Sequence, residues 1–221
     1  MDKYNNATKK DLNDVGKKRK RIKDTSTVMF FPNMGELEDW IFISYSDGSL
    51  KSMLNKLSST GGHALILVNK KSKNATVLDW KSKQLKRIVH SSLGAEALSL
   101  LESFGDLALV RMKFVQMYGK RAENIPAISI IDSKNLWESI HNIKPIEDKL
   151  LLGTIAEIKE CVAFDKLVQE VRLLPKEFML ADGLTKVGGS SEGRLDVLRT
   201  GTLDLHGGFK LQTRTKDFST T

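Results

Sequence analysis

The segment WIFISYSDG, residues 40–48, is the stretch of sequence from which the fold is interpreted. Its apolar run from Trp40 to Tyr45 predicts a buried strand. Side chains alternate along a strand, so Tyr45 and Asp47 are expected on one face, and Asp47-Gly48 is predicted to end the strand. A single acid at the end of a strand is most simply a turn residue, and this alternative stays open for Asp47.

Apolar runs and turn signals predict the other elements. Segment 48–60 is predicted to be a loop, and the strands that follow it are close enough to pair as antiparallel hairpins. Ser91 or Ser92 is expected to cap a long helix, in which a break at Gly105 is allowed for. The predicted strands are 40–45, 63–68, 76–80, 127–131 and 167–174, and the predicted helices are about 92–117, 134–141, 146–162 and 180–198.

Composition limits the class of protein. The 221 residues are 40% hydrophobic, which is enough for a packed core, and no apolar stretch reaches the roughly 18 residues of a membrane span. The polar start is unlike a secretory signal. Cys161 is the one cysteine, so an intrachain disulfide and a cysteine-based metal site are excluded. We expect an intracellular protein, either cytoplasmic or nuclear, and no membrane partner.

The positive charge is concentrated at the N-terminus. The formal net charge is +8, and residues 1–30 hold nine Lys or Arg and four Asp or Glu, so five of the eight net charges lie there. A basic balance of this kind favours polyanionic partners, nucleic acid first. We predict a basic segment at 1–30, a folded domain at 31–205 and a C-terminal tail at 206–221.

Four acids are predicted to meet at one edge of the sheet. Asp132 follows the strand 127–131, and if this strand runs parallel beside the first, Asp132 and Asp47 emerge together. Glu96 lies on the long helix, and Asp182 stands between two small residues. Carboxylates this close repel, and a divalent cation with oxygen ligands would relieve the conflict. The alternatives are helix caps for Asp132 and Asp182 and a partly exposed helix acid for Glu96.

Several short motifs together resemble one family, the ribonuclease H domain at the end of the Pol polyprotein of copia-type LTR retrotransposons. The resemblance covers about residues 30–203, and its most specific motif is the last one. The motifs are SDGSL at 46–50, WKSKQLKR at 80–87, AEAL at 95–98, DSKNL at 132–136, EDK at 147–149 and LADGLTK at 180–186.

The resemblance implies an α/β, ribonuclease H-like fold with a five-stranded mixed sheet and helices on both faces. It also implies a Mg²⁺-dependent endonuclease that cuts the RNA strand of an RNA–DNA hybrid, with two ions for which Mn²⁺ can substitute. The metal ligands would be Asp47, Glu96, Asp132 and Asp182, with Asp47 bridging both ions. Residues 1–30 would be the end of a reverse transcriptase region, and a reverse transcriptase domain is a candidate partner.

A basic stretch precedes the Glu96 helix and is a candidate for contacts with phosphates. A solvated loop is the alternative. The residues are Lys81, Lys83, Lys86 and Arg87.

Two other functions stay open. The first is a catalytically inactive or host-adopted module of the same fold that binds nucleic acid or a protein. The second is an integrase-like DNA transferase, against which stands Asp182, because that class would use a Glu on a helix at this place.

The uneven charge generates a prediction about binding. Deleting residues 1–24 removes five net positive charges. Affinity for nucleic acid is expected to fall and its dependence on salt to become shallower, because fewer counterions are released. Titrations at several salt concentrations test this, and a sharp drop in melting temperature instead would show that the segment belongs to the folded core.

Overall fold

Five strands form one mixed sheet in the computed structural model, which describes residues 29–53, 56–87, 89–143, 146, 148–186 and 191–205. The strand order is β3-β2-β1-β4-β5, with β1, β2 and β3 antiparallel and β4 and β5 parallel to β1. The predicted N-terminal segment, apart from residues 29 and 30, and the C-terminal tail lie outside the described residues. The strands are β1 (Trp40–Met53), β2 (Lys56–Asn69), β3 (Ala75–Gln84), β4 (Ala127–Ile131) and β5 (Glu170–Leu173).

Helices cover both faces of the sheet, which confirms the predicted architecture. The first three pack on one face and the last two on the other. No helix within the described ranges is both long and apolar enough to cross a membrane. The helices are α1 (Ser92–Tyr118), α2 (Lys134–Ile140), α3 (Lys149–Ala163), α4 (Asp182–Thr185) and α5 (Glu192–Thr200).

Alternation along β1 divides its side chains between two apolar cores, as its sequence predicts. Trp40 and Phe42 pack with the α1 side, whereas Ile43 and Tyr45 pack with the α4 and α5 side. Both cores are buried, so β1 is apolar on both faces and reads as one continuous hydrophobic run.

Helix α1 begins where its sequence predicts. Ser91 is the N-cap, and its Oγ accepts a hydrogen bond from the Gly94 backbone N at 3.1 Å. The helix runs without a break through Gly105, which has open space around its Cα. The break allowed for at that residue is therefore absent, since nothing there competes with the helical backbone.

Two predictions of local structure are wrong. Segment 48–60 was expected to be a loop, but β1 continues to Met53 and β2 begins at Lys56, with Gly48 paired with Gly61. Backbone pairing needs no apolar side chains, so a ribbon rich in Ser and Lys extends the hairpin. The single helix expected at 180–198 is instead α4 and α5, and the Gly-Gly-Ser-Ser run between them disfavours helix.

Glycines allow two helices to approach the sheet closely. A Cβ on Gly48 would lie 2.5 Å from the backbone of Ala95 and Glu96 in α1. A Cβ on Gly62, which pairs with Asp47, would lie 2.7 Å from Leu184 Cβ in α4. Only a residue without a side chain fits at either contact, so these two positions determine how near α1 and α4 come to Asp47.

Gly48→Ala is expected to lower the free energy of unfolding by about 1–3 kcal/mol, because helix backbone cannot yield as a flexible side chain would. The matched control is Gly105→Ala, which adds the same methyl group to open space and should stabilise by roughly 0.5–1 kcal/mol. Urea denaturation measures both. Equal stabilities for Gly48→Ala and the parent would show that α1 is not held at this contact.

Candidate active site

Asp47 and Asp132 lie side by side on neighbouring strands. Strands β1 and β4 are parallel, and Tyr45 pairs with Ile130. Asp47 comes two residues after Tyr45, and Asp132 comes two residues after Ile130. Asp132 directly follows β4, as predicted. Asp47 is 3% exposed and lies inside β1, so the expectation that it ends the strand is wrong, and the turn alternative fails with it.

Glu96 lies near the two aspartates, at the start of α1. Its backbone N lies at the Gly48 contact, which brings the start of α1 onto β1. Burial raises the pKa of Glu96 to about 7, and the negative charges of Asp132 and Asp47 act in the same direction. A hydrogen bond with Ser133 opposes this rise. Glu96 is therefore within electrostatic range of both strand acids.

Asp132 is also partly buried near negative charge. Burial raises the pKa of its carboxyl, and the negative charge of Asp47 adds to the rise. Asp132 does not cap α2, because Ser133 does so by accepting a hydrogen bond from the Leu136 backbone N at 3.3 Å. The capping alternative for Asp132 is therefore wrong.

Asp182 is the first residue of α4 and is nearly buried. Ala181 is the N-cap and no side chain caps this helix, so Asp182 does not serve as the cap either. Its Oδ1 lies 2.8 Å from Lys186 Nζ, and the same Nζ lies 3.3 Å from Asp47 Oδ2. Lys186 thus pairs with both Asp182 and Asp47.

Hydroxyl groups hold these elements in place. Thr185 Oγ1 donates a hydrogen bond to Asp47 Oδ2, and Ser99 Oγ of α1 donates to the Asp47 backbone O at 2.7 Å. Ser49 Oγ donates to the Thr185 backbone O at 3.0 Å, and the Ser82 hydroxyl donates to the Leu184 backbone O. Asp47 is therefore fixed through both its carboxylate and its main chain.

The roles of Thr185, Lys186 and Ser99 were not assigned from the sequence. Lys186 stands four residues after Asp182, a spacing that predicts an ion pair on one helix face, but its contact with Asp47 depends on tertiary structure. Ser99 could be placed only once the approach of α1 to β1 was known.

The donor set suits a hard divalent cation, because it consists of four carboxylates. The pKa of Glu96 and that of Asp132 are raised by burial first and by neighbouring negative charge second. Within the described ranges, no three side chains of His, Cys, Asp or Glu come close enough together to hold a metal ion. Thr185 and Lys186 satisfy Asp47 Oδ2 instead. The four predicted ligands are thus brought to one region, with an ammonium group among them.

The predicted phosphate contacts lie at the end of β3 and beyond it. Lys81 Nζ is 2.6 Å from Asp106 Oδ1, and Lys83 Nζ is 3.2 Å from Glu102 Oε2, so both lysines pair with acids of α1. Both remain nearly half exposed. Lys86 and Arg87 are exposed between β3 and α1. Contact of these four residues with phosphate stays a prediction.

Lys81 also belongs to a cluster beneath α1. His63 is 2% exposed, pairs with Lys81 across the strands, and places its Nε2 2.8 Å from Asp106 Oδ2. Burial lowers the pKa of His63, while the charge of Asp106 opposes the change. The cluster ties α1 to β2 and β3 and lies outside the group of four acids.

Solved ribonuclease H structures are similar to this chain in fold, at low sequence identity. The fold is ribonuclease H-like. An LC11 ribonuclease H1 isolated from compost, solved with an RNA/DNA hybrid, is 18% identical with a TM-score of 0.47, over 65% of this chain and 93% of that chain. The ribonuclease H1 of the halophilic archaeon Halobacterium salinarum is 15% identical with a TM-score of 0.45, over 71% and 98%.

A third structure, the N-terminal ribonuclease H domain of a Mycobacterium tuberculosis protein, is 15% identical with a TM-score of 0.44, over 72% of this chain and 96% of that chain. No protein-family model matches the chain, and no curated protein matches it in sequence. At these identities the similarity describes the fold alone.

The raised pKa of Glu96 predicts a stability that depends on pH. Its usual value is 4.5 and its folded value about 7, so the favourable contribution is full below pH 4.5 and is lost as pH rises through 7. Glu96→Gln is expected to stabilise the metal-free protein by roughly 1–3 kcal/mol at pH 8. Near pH 4.5 the gain should vanish.

Urea denaturation in a chelator between pH 4.5 and 8 measures the difference between Glu96→Gln and the parent. The matched control is Glu157→Gln, which changes an exposed acid of α3. A gain that is the same at every pH would contradict the assigned surroundings of Glu96.

Proposed function

We propose that this chain is a ribonuclease H-type endonuclease that hydrolyses the RNA strand of RNA–DNA hybrids with two divalent metal ions. The observation that supports it is that Asp47 lies on β1 and Asp132 directly follows the parallel strand β4. Glu96 lies near them, and its pKa is raised by burial first and then by the charges of these two acids. Mg²⁺ is the expected ion, and Mn²⁺ is expected to substitute.

The four acids divide the work of holding two ions. Asp47, the most buried, would be shared by the ions, while Glu96, Asp132 and Asp182 would supply the other carboxylate ligands. When bound, the ions supply activation of a water and stabilisation of the leaving 3′ oxygen. The hydroxyl of Thr185 and the Ser99 bond to the main chain keep Asp47 oriented.

Binding of the hybrid is assigned to basic groups at the end of β3 and beyond it. Lys81 and Lys83 are partly exposed and Lys86 and Arg87 are exposed, so phosphates can compete for them. Selectivity for RNA would come from the 2′-OH and from the width of the minor groove. These contacts position the strand and carry little sequence information.

A retrotransposon context is part of the proposal. It rests on the sequence motifs, above all Leu-Ala-Asp-Gly-Leu-Thr-Lys at 180–186, two of whose residues contact Asp47. On this proposal the chain belongs to a Pol region, and a reverse transcriptase domain would deliver the hybrid.

The direct test is cleavage of a hybrid labelled on its RNA strand, with Mg²⁺ and then with Mn²⁺. An RNA duplex and a DNA duplex of the same sequence are assayed in parallel. Cleavage confined to the hybrid supports the proposal, and cleavage of DNA would favour the integrase-like alternative. Binding of the hybrid without cleavage under either ion would favour the inactive or host-adopted module.

Asp47→Asn is expected to reduce hybrid cleavage by several orders of magnitude. An NH₂ group replaces one carboxylate oxygen, and the negative charge proposed to be shared by two ions is lost. The fold should persist, since Asn has the same shape and can still accept the hydrogen bond from Thr185. Cleavage rates and melting curves measure the two effects.

The matched control is Asp196→Asn, the same change at an exposed position of α5. It should leave cleavage unchanged. Lost stability with retained cleavage in Asp47→Asn would show that Asp47 has a structural role only.

A further inference from the structure

Lys186 lies between two of the four carboxylates. Its Nζ is 2.8 Å from Asp182 Oδ1 and 3.3 Å from Asp47 Oδ2. Asp47 is 3% exposed and Asp182 is 9% exposed, so their charges need a partner inside the protein. We propose that Lys186 is an internal cation that competes with a divalent ion for Asp47 and Asp182, an inference that rests on the proposed function.

Helix α4, which directly precedes Lys186, is held against the sheet, so release of the ammonium group requires movement of the Lys186 side chain only. Ser49 binds the Thr185 backbone O, Ser82 binds the Leu184 backbone O, and Gly62 receives α4 at close range. The backbone of α4 is therefore attached to three strands of the sheet. The Lys186 ammonium group can move away from the two carboxylates without moving Asp182, because it stands on a flexible four-carbon stem.

The position of Lys186 favours exchange with solvent. Its side chain is 36% exposed, so the ammonium has a path to water, and an ammonium is strongly hydrated. A divalent ion brings twice the charge to the same oxygens. Binding of the ion releases the ammonium, and the released ammonium regains its hydration.

The exchange has two consequences. In metal-free protein Lys186 relieves the repulsion that would otherwise act on the buried Asp47. When metal is present, the same contact must be broken, so Lys186 weakens the affinity for the ion. The lysine thus stabilises the protein without metal and sets the ion concentration at which the site fills.

Calorimetric titration with Mg²⁺, and with Mn²⁺, tests this without any need for catalysis. Lys186→Gln should bind the ion about tenfold more tightly than the parent, and it should melt at a lower temperature in chelator. Lys186→Arg keeps the charge and should keep the weaker affinity of the parent.

The matched control is Lys176→Gln. Lys176 acts on Asp132 through its charge, yet it makes no ion pair within the described ranges. Lys176→Gln therefore removes the same charge near the acids without removing the contact. Equal tightening in both Gln variants would show a general charge effect and overturn the proposal, as would unchanged or weaker binding in Lys186→Gln.

A second measurement uses the unaltered protein and does not depend on a variant that folds. Acetylation of lysines is followed by peptide mass spectrometry with and without saturating Mg²⁺. Lys186 should be modified several-fold faster with the ion, because it is released into solvent, whereas Lys176 should not change. An unchanged or slower reaction at Lys186 overturns the proposal.

The results separate this inference from the proposed function. Ion binding by the parent with no change in Lys186→Gln removes the role of Lys186 and leaves the endonuclease proposal standing. If Lys186→Gln binds the ion and the parent does not, Lys186 excludes the ion from the site, which supports the inference. Absence of ion binding by the parent and by every variant overturns both.

Discussion

The contact between β1 and the start of α1 at Gly48 is the constraint on which the rest of the site depends. A helix backbone can come this close to a strand only where no Cβ intervenes. Asp47 precedes Gly48 and Glu96 lies at the point of contact, so one packing requirement brings a strand acid and a helix acid together. On the opposite face of the sheet, Gly62 allows α4 to pack closely, and this contact positions Asp182 at the start of α4.

The cost of this packing is electrostatic. Burial raises the pKa of Glu96 and of Asp132, and the negative charges of neighbouring acids add to the rise. Thr185 and Lys186 offset part of this cost, because both donate hydrogen bonds to the Asp47 carboxylate. Carboxylates that are assembled and then neutralised only in part support the proposed cation site, since a purely structural role would be met better by apolar side chains.

Local patterns were sufficient for some features of this fold and insufficient for others. Alternation in β1 correctly placed Asp47 on the face of Tyr45, because period two is a property of the strand itself. The adjacency of β1 and β4 was inferred from the acids at the ends of both predicted strands, since no local pattern reports which strands pair. Segment 48–60 was misjudged because its pairing depends on backbone, and the partner of Lys81 lies on a helix 25 residues away.

The ion pairs of the domain also affect how a polyanion would be held. Lys81 and Lys83 neutralise acids of α1, and Lys186 neutralises two acids of the site, so these lysines attract phosphate less than free ones would. Only three of the eight net charges lie beyond residue 30. Lys81, Lys83 and Lys186 are thus less available for long-range attraction, and most of the net positive charge lies in the basic N-terminal segment.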